Sequence, residues 1–154
     1  MRFILCFIFL IHVNLSSAYQ YPEFTGYIND YENLLPKIPT FLLTKKIEKK
    51  YQDSNRKLLL LTTPSFGDKS NSKDFLVELY KKWELKKEDL YNTVVLFISK
   101  SKSEVRLFVG KDISSDFSKR NRQSILDDII RPNINKGKNK IAIKKGLKAI
   151  LSAI

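Results

Sequence analysis

Two uninterrupted apolar runs constrain this chain most: Leu58–Leu61 within "KLLLLTT" and Val94–Ile98 within "TVVLFIS". A strand with one wet face alternates apolar and polar residues, whereas a strand covered on both faces reads as a continuous run. Between them Phe75, Leu76, Leu79, Tyr80 and Trp83 recur at the spacing of one helix face. Asp74 lies early and Lys81 and Lys82 late, as the helix dipole favours. Strand, helix and strand in that order predict a parallel pair with a right-handed crossover. "KSKS" at 100–103 then turns the chain into "EVRLFVG", where Arg106 between Val105 and Leu107 predicts a less covered, antiparallel hairpin strand.

Helices flank this unit. "PTFLLTKKIEKKY" places Leu43, Ile47 and Tyr51 on one stripe, with Pro39 acceptable in the first turn. "PSFGDKSNS" is a loop, and Ser72 is the expected cap of the following helix. Trp83 is expected to plug the core. After the hairpin, Phe117, Ile125, Leu126, Ile129 and Ile130 predict a helix that stops at Arg131-Pro132. A basic amphipathic helix follows, "NKIAIKKGLKAILSAI", with Ile141, Leu147, Ile150, Leu151 and Ile154 as its apolar stripe. The expected fold is a small three-layer α/β/α sandwich with a mixed central sheet. Residues 37–154 should form one domain, with 19–36 an extended segment packed on it.

Residues 1–18, "MRFILCFIFLIHVNLSSA", combine Arg2, an apolar run and the small pair Ser16 and Ala18. That pattern predicts a secretory signal peptide cleaved before Tyr19. A membrane anchor is the competing reading, although the run is short for a span. The mature chain is then secreted or extracytoplasmic, without a transmembrane helix. Cleavage also removes the chain's one cysteine, Cys6, and one histidine, His12. Cys-His pairs, Ser-His-Asp triads and zinc sites with His or Cys ligands are thereby excluded. Any metal would be a hard cation held by oxygens, and no motif implies an organic cofactor. The formal net charge of +12 suits an acidic protein partner or an anionic membrane surface, or serves only solubility. Nucleic acid is not expected as the partner of an exported chain.

"TGYINDYENLL", residues 25–35, resembles the opening motif of TPM domains. "LYKKWELKKEDLYNTVVLFIS" resembles that family's Trp-Gly-hydrophobic segment leading through Asp-Asn-Gly into a buried strand. "EVRLFVG" resembles its Val-Arg-x-x-Val-Gly strand, and "ILDDIIRPNINKGKNKIAIKKGL" its Ile-rich helix, proline and last helix. The resemblance spans nearly all of the mature chain and implies an α/β/α sandwich. It also implies acid phosphatase activity or calcium binding through acidic loop residues. Position by position, Asp30 matches the opening acid and Asn92 the amide of Asp-Asn-Gly, whose Asp and Gly are Tyr91 and Thr93 here. Beyond Gly110 the Gly-Leu-Glu falls on Asp112-Ile113-Ser114, and a later Asp falls on Lys119.

The hairpin should bring Asn92 near Gly110, and so near Asp112 and Asp116, with Asp30 joining if the opening segment crosses that end. Such a set would hold Ca2+ weakly. Other roles also fit: Asp112 and Asp116 can flank and cap a helix beginning near Ser114 or Ser115. Asp30 can organise a turn by accepting from amides two residues on. Phosphate-ester hydrolysis without His or Cys needs a carboxylate nucleophile or metal-activated water, plus a charge-stabilising group such as Lys119. "PSFGDKS" lacks P-loop spacing, but lies at the carboxyl end of a buried strand, where open α/β sheets bind ligands. The expected function is a non-catalytic binding or accessory module for a membrane or extracytoplasmic complex. The alternative is a weak calcium-dependent acid phosphatase acting on phosphate monoesters.

Overall fold

The computed structural model describes residues 19–154; the expected signal peptide, 1–18, lies outside them. β2 (Lys57–Thr62) and β3 (Thr93–Ser99) pair in parallel, from Lys57 opposite Thr93 to Thr62 opposite Ile98. Every residue of β3 is buried, as its unbroken apolar run requires. Alternate side chains enter opposite cores: Leu58, Leu60, Val94, Leu96 and Ile98 on one face, Leu59, Leu61, Val95 and Phe97 on the other. β4 (Glu104–Val109) runs antiparallel to β3 and leaves Arg106 exposed. A further strand, β1 (Ile28–Asp30), pairs in parallel with β2 and gives the order β1-β2-β3-β4.

One face carries α1 (Lys37–Ser54), α3 (Lys119–Ser124), α4 (Arg131–Asn135) and α5 (Asn139–Ala153). The other carries α2 (Ser72–Lys82), which completes the three-layer sandwich. The crossovers through α1 and α2 advance the same way across the sheet on opposite faces, so they are of opposite hand. Only one of them follows the right-handed rule.

A single helix leaves part of the second face open, and the opening segment covers it. Tyr21 stacks on Phe75 with centroids 5.7 Å apart, and Tyr19 meets Tyr21 edge-on at 5.1 Å. Trp83 is half-buried and clasps this segment, rather than plugging the core as expected. Its Nε1–H donates to the Pro22 carbonyl at 2.7 Å, and its ring lies 4.9 Å from that of Phe24.

Three local expectations change. Asn71, not Ser72, caps α2 by accepting the Asp74 N–H at 3.0 Å; Ser72 is buried and donates its hydroxyl to Glu104. The helix does not stop at Arg131-Pro132, because α3 passes through a π-helical turn, Ile125–Ile130, into α4. There the Arg131 N–H reaches back five residues to Leu126 O, so Pro132 falls in a first turn where its missing N–H costs little. Asn133 Nδ2 then donates to the Ile129 carbonyl at 2.6 Å. Finally, α5 buries Ala142, Ile143, Gly146, Leu147 and Ile150, leaving Ile141 43% exposed and Leu151 half-buried. Gly146 fixes that rotation: a Cβ there would stand 2.7 Å from the Ile130 side chain.

Candidate functional site

Candidate polar residues occupy opposite ends of the sheet. At the carboxyl ends of β1–β3, Asp30 Oδ1 accepts the Leu34 N–H at 3.0 Å and the Thr62 hydroxyl at 2.6 Å. Its Oδ2 accepts the Leu35 N–H at 2.7 Å. The turn it closes holds Asn33 at φ 54°, a left-handed conformation that asparagine tolerates. The amides are thus four and five residues on, not two as expected. Nearby, Glu32 accepts the N–H groups of Lys100 and Ser101 at 2.9 and 3.2 Å and the Ser101 hydroxyl at 3.0 Å. Both acids therefore tie the opening segment to the sheet. The "PSFGDKS" loop is filled by aromatic rings: Phe66 packs on Phe75 and Phe97, and Tyr19 covers Gly67.

At the other end, the hairpin does bring Asn92 beside Gly110. The Gly110 N–H donates to Thr93 O at 2.8 Å, and the Asp112 N–H to Tyr91 O at 2.9 Å. A Cβ on Gly110 would collide with the Leu90 and Tyr91 carbonyls, so this approach demands glycine. Asn92 Nδ2 donates to the Asn55 carbonyl at 2.5 Å, while its Oδ1 is buried without a partner among the described residues. Asp116 forms an ion pair with Arg56. Lys57 Nζ lies 3.7 Å from Asp89, and Lys111 Nζ sits 3.6 Å above the Tyr91 ring. Cations thus stand among the acids at this end.

Neither Asp112 nor Asp116 caps a helix at Ser114 or Ser115. α3 begins at Lys119, whose cap is Ser118, accepting the Asn121 N–H at 3.2 Å. The intervening loop is pinned by Ile113 and Phe117, both buried. Lys119 itself is exposed.

The four expected ligands do not converge. Asp30 pairs with Thr62, which pairs with Ile98, whereas Asn92 precedes Thr93 at the far end of β3. That separation is about 20 Å at roughly 3.3 Å per residue. Asn92, Asp112 and Asp116 share one end; Asp30 lies at the other because β1 pairs with the end of β2, Ile28 opposite Leu60 and Asp30 opposite Thr62. Among the described residues, no group of three or more His, Cys, Asp or Glu stands close enough to hold a metal ion. Sequence reasoning missed Arg56. Its position beside Asp116 depends on the parallel register of β2 and β3, which no local motif announces.

The profile of the TPM domain matches residues 28–153. This chain belongs to the TPM domain family. The TPM domain here also shares its fold with solved structures of low sequence identity. The N-terminal domain of a protein from P. gingivalis is 19% identical with a TM-score of 0.71, covering 82% of this chain and 80% of that one. The BA42 protein of Bizionia argentinensis is 12% identical with a TM-score of 0.63, covering 80% and 83% respectively. The N-terminal domain of the cg2496 protein of Corynebacterium glutamicum is 8% identical with a TM-score of 0.58, covering 84% and 80%. No curated protein matches this TPM domain. Its α/β/α sandwich is the architecture the sequence predicts.

Proposed function

We propose that this TPM domain is an exported binding module, an accessory to a membrane or extracytoplasmic complex, and not an effective hydrolase. One observation carries the reading: the three candidate acids do not converge on one site, and two of them are already engaged. Asp30 uses both oxygens on three internal donors, and Asp116 faces Arg56 at the other end of the sheet. Phosphate-ester hydrolysis needs an attacking group and charge-stabilising groups converging within a few ångströms. Export rests on the signal-peptide pattern of residues 1–18. The test is turnover of a generic phosphate monoester by the chain starting at Tyr19, with and without Ca2+. No metal-stimulated turnover is expected, and rates of about one per second or faster would overturn the proposal. Intact mass of the protein from its native compartment should begin at Tyr19; retained Met1 refutes export.

A second reading, residual calcium binding, is favoured by the buried Asn92 Oδ1, which has no hydrogen-bond partner among the described residues. Asn92, Asp112 and Asp116 would hold the ion. Calcium takes six to eight oxygens, and its affinity rises with carboxylate number and site rigidity. With Arg56 neutralising Asp116, these residues fit only a weak site, on the order of millimolar. Calorimetric titration tests this reading. An affinity unchanged in Asp112→Asn/Asp116→Asn would move the site elsewhere.

A further inference from the structure

Between α1 and α5 lies a groove of about 840 Å³. Its floor is apolar, with Leu35, Leu42 and Leu43. Leu43 belongs to the core, but Leu42 is 60% exposed, as are its neighbour Phe41 on α1 and, to a lesser degree, Ile141 on α5. Scattered exposed apolar residues are ordinary; here Leu42 lines the groove, and Phe41 and Ile141 stand on the two helices that form it, which extends the apolar contact surface beyond its edge.

The rims are cationic. Lys46 and Lys49, about one turn apart on α1, line one side, and Lys140 and Lys144, one turn apart on α5, line the other. With Lys45 the groove carries five lysines against Glu48 and Asp53. None of these lysines joins an ion pair among the described residues. Holding like charges along both sides of an apolar floor is unfavourable unless an opposite charge completes it.

We infer that this groove docks an acidic amphipathic helix of a partner protein. From Leu42 to Asp53 it follows α1 for about 16 Å at 1.5 Å per residue, or three turns of a partner helix. Such a helix would set apolar residues at i, i+3 or i+4, and i+7 on the leucine floor. Its flanking acids would meet the lysines of both rims. The concave shape selects a helix over a bilayer, because a flat anionic surface reaches the rims and the exposed Leu42 but not the buried Leu35 and Leu43. Complementary charge also speeds encounter and rejects basic partners.

This inference rests on the binding-module reading, yet the two fail separately, because phosphatase turnover is not read in a binding assay. The experiment is fluorescence anisotropy of the chain starting at Tyr19 with a labelled designed helix, leucines on one stripe and glutamates beside it. A scrambled peptide of the same composition is the control, and phosphatidylserine-rich vesicles form a separate co-sedimentation arm. Saturable binding is expected, weakening with salt, absent for the scrambled peptide, and reduced on the order of tenfold by Lys46→Glu/Lys49→Glu. Both positions are exposed, and an unchanged thermal melt verifies that the variant folds. Equal binding of the scrambled peptide, a change under about twofold on charge reversal, or stronger association with vesicles than with the helix would overturn the inference.

Discussion

Replacing Asp30 by alanine separates the two roles open to this residue in the TPM motif. The carboxylate accepts from Leu34 N–H, Leu35 N–H and the Thr62 hydroxyl at 2.6–3.0 Å. Hydrogen bonds to a charged group typically contribute about 1.5–3 kcal/mol each. Asp30 is only half-buried, so water replaces part of that in the variant. Thr62 is fully buried and loses its acceptor outright. Together these set the loss at about 3–4 kcal/mol. For a domain of this size the midpoint of thermal unfolding should fall by roughly 10–15 °C. Asp30→Asn keeps one acceptor oxygen but turns an NH2 toward one of the donors, so it should lose about half as much. Circular-dichroism melts of both variants, paired with calcium calorimetry, read the two roles independently. Stability should fall in the order wild type, Asn, Ala, with calcium affinity unchanged. A midpoint for Asp30→Ala within about 2 °C of wild type, together with lost calcium binding, would refute the reasoning and make Asp30 a ligand.

Gly110→Ala drives a Cβ into the Leu90 and Tyr91 carbonyls, and because backbone cannot yield as a side chain does, the loss should exceed about 3 kcal/mol; a near wild-type melt would refute the close approach. Arg56→Gln should cost under about 1 kcal/mol, since the ion pair is partly exposed, while the freed Asp116 strengthens calcium binding. A fall in calcium affinity would show that Arg56 does not compete for Asp116. Burial holds the Tyr80 phenol above the ordinary value of 10.0, and its hydroxyl has no partner among the described residues. The unfolded chain releases that proton first, so its contribution to stability is complete below pH 10 and is lost as pH rises beyond it. Ultraviolet titration in which every tyrosine of the folded protein ionised together would contradict this.

The parts of the fold that could be read from the residues are those where burial is hydrophobic. β2 and β3 admit one reading because their runs leave no polar face, and Arg106 alone marks β4 as the less covered partner. β1 escapes that logic. Its central residue, Asn29, is fully buried, yet it accepts the Thr25 N–H at 2.9 Å and donates to Gly26 O at 2.7 Å. A polar residue satisfied by local hydrogen bonds leaves no hydrophobic pattern, and asparagine is disfavoured in strands. The candidate site divides along the same line. Asn92 and Gly110 flank a hairpin whose register follows from its short turn, so their proximity was legible. The place of Asp30 depends on where β1 sits along β2, which only that pairing determines. Only a β1 slid toward the start of β2 would bring Asp30 to the Asn92 end; reversed in place, this three-residue strand would still set it opposite Leu60. The parallel pairing places it about 20 Å away, where three internal donors engage it. The register of one short strand therefore separates a folding role for this acid from a ligand role, and no motif of eleven residues encodes that register.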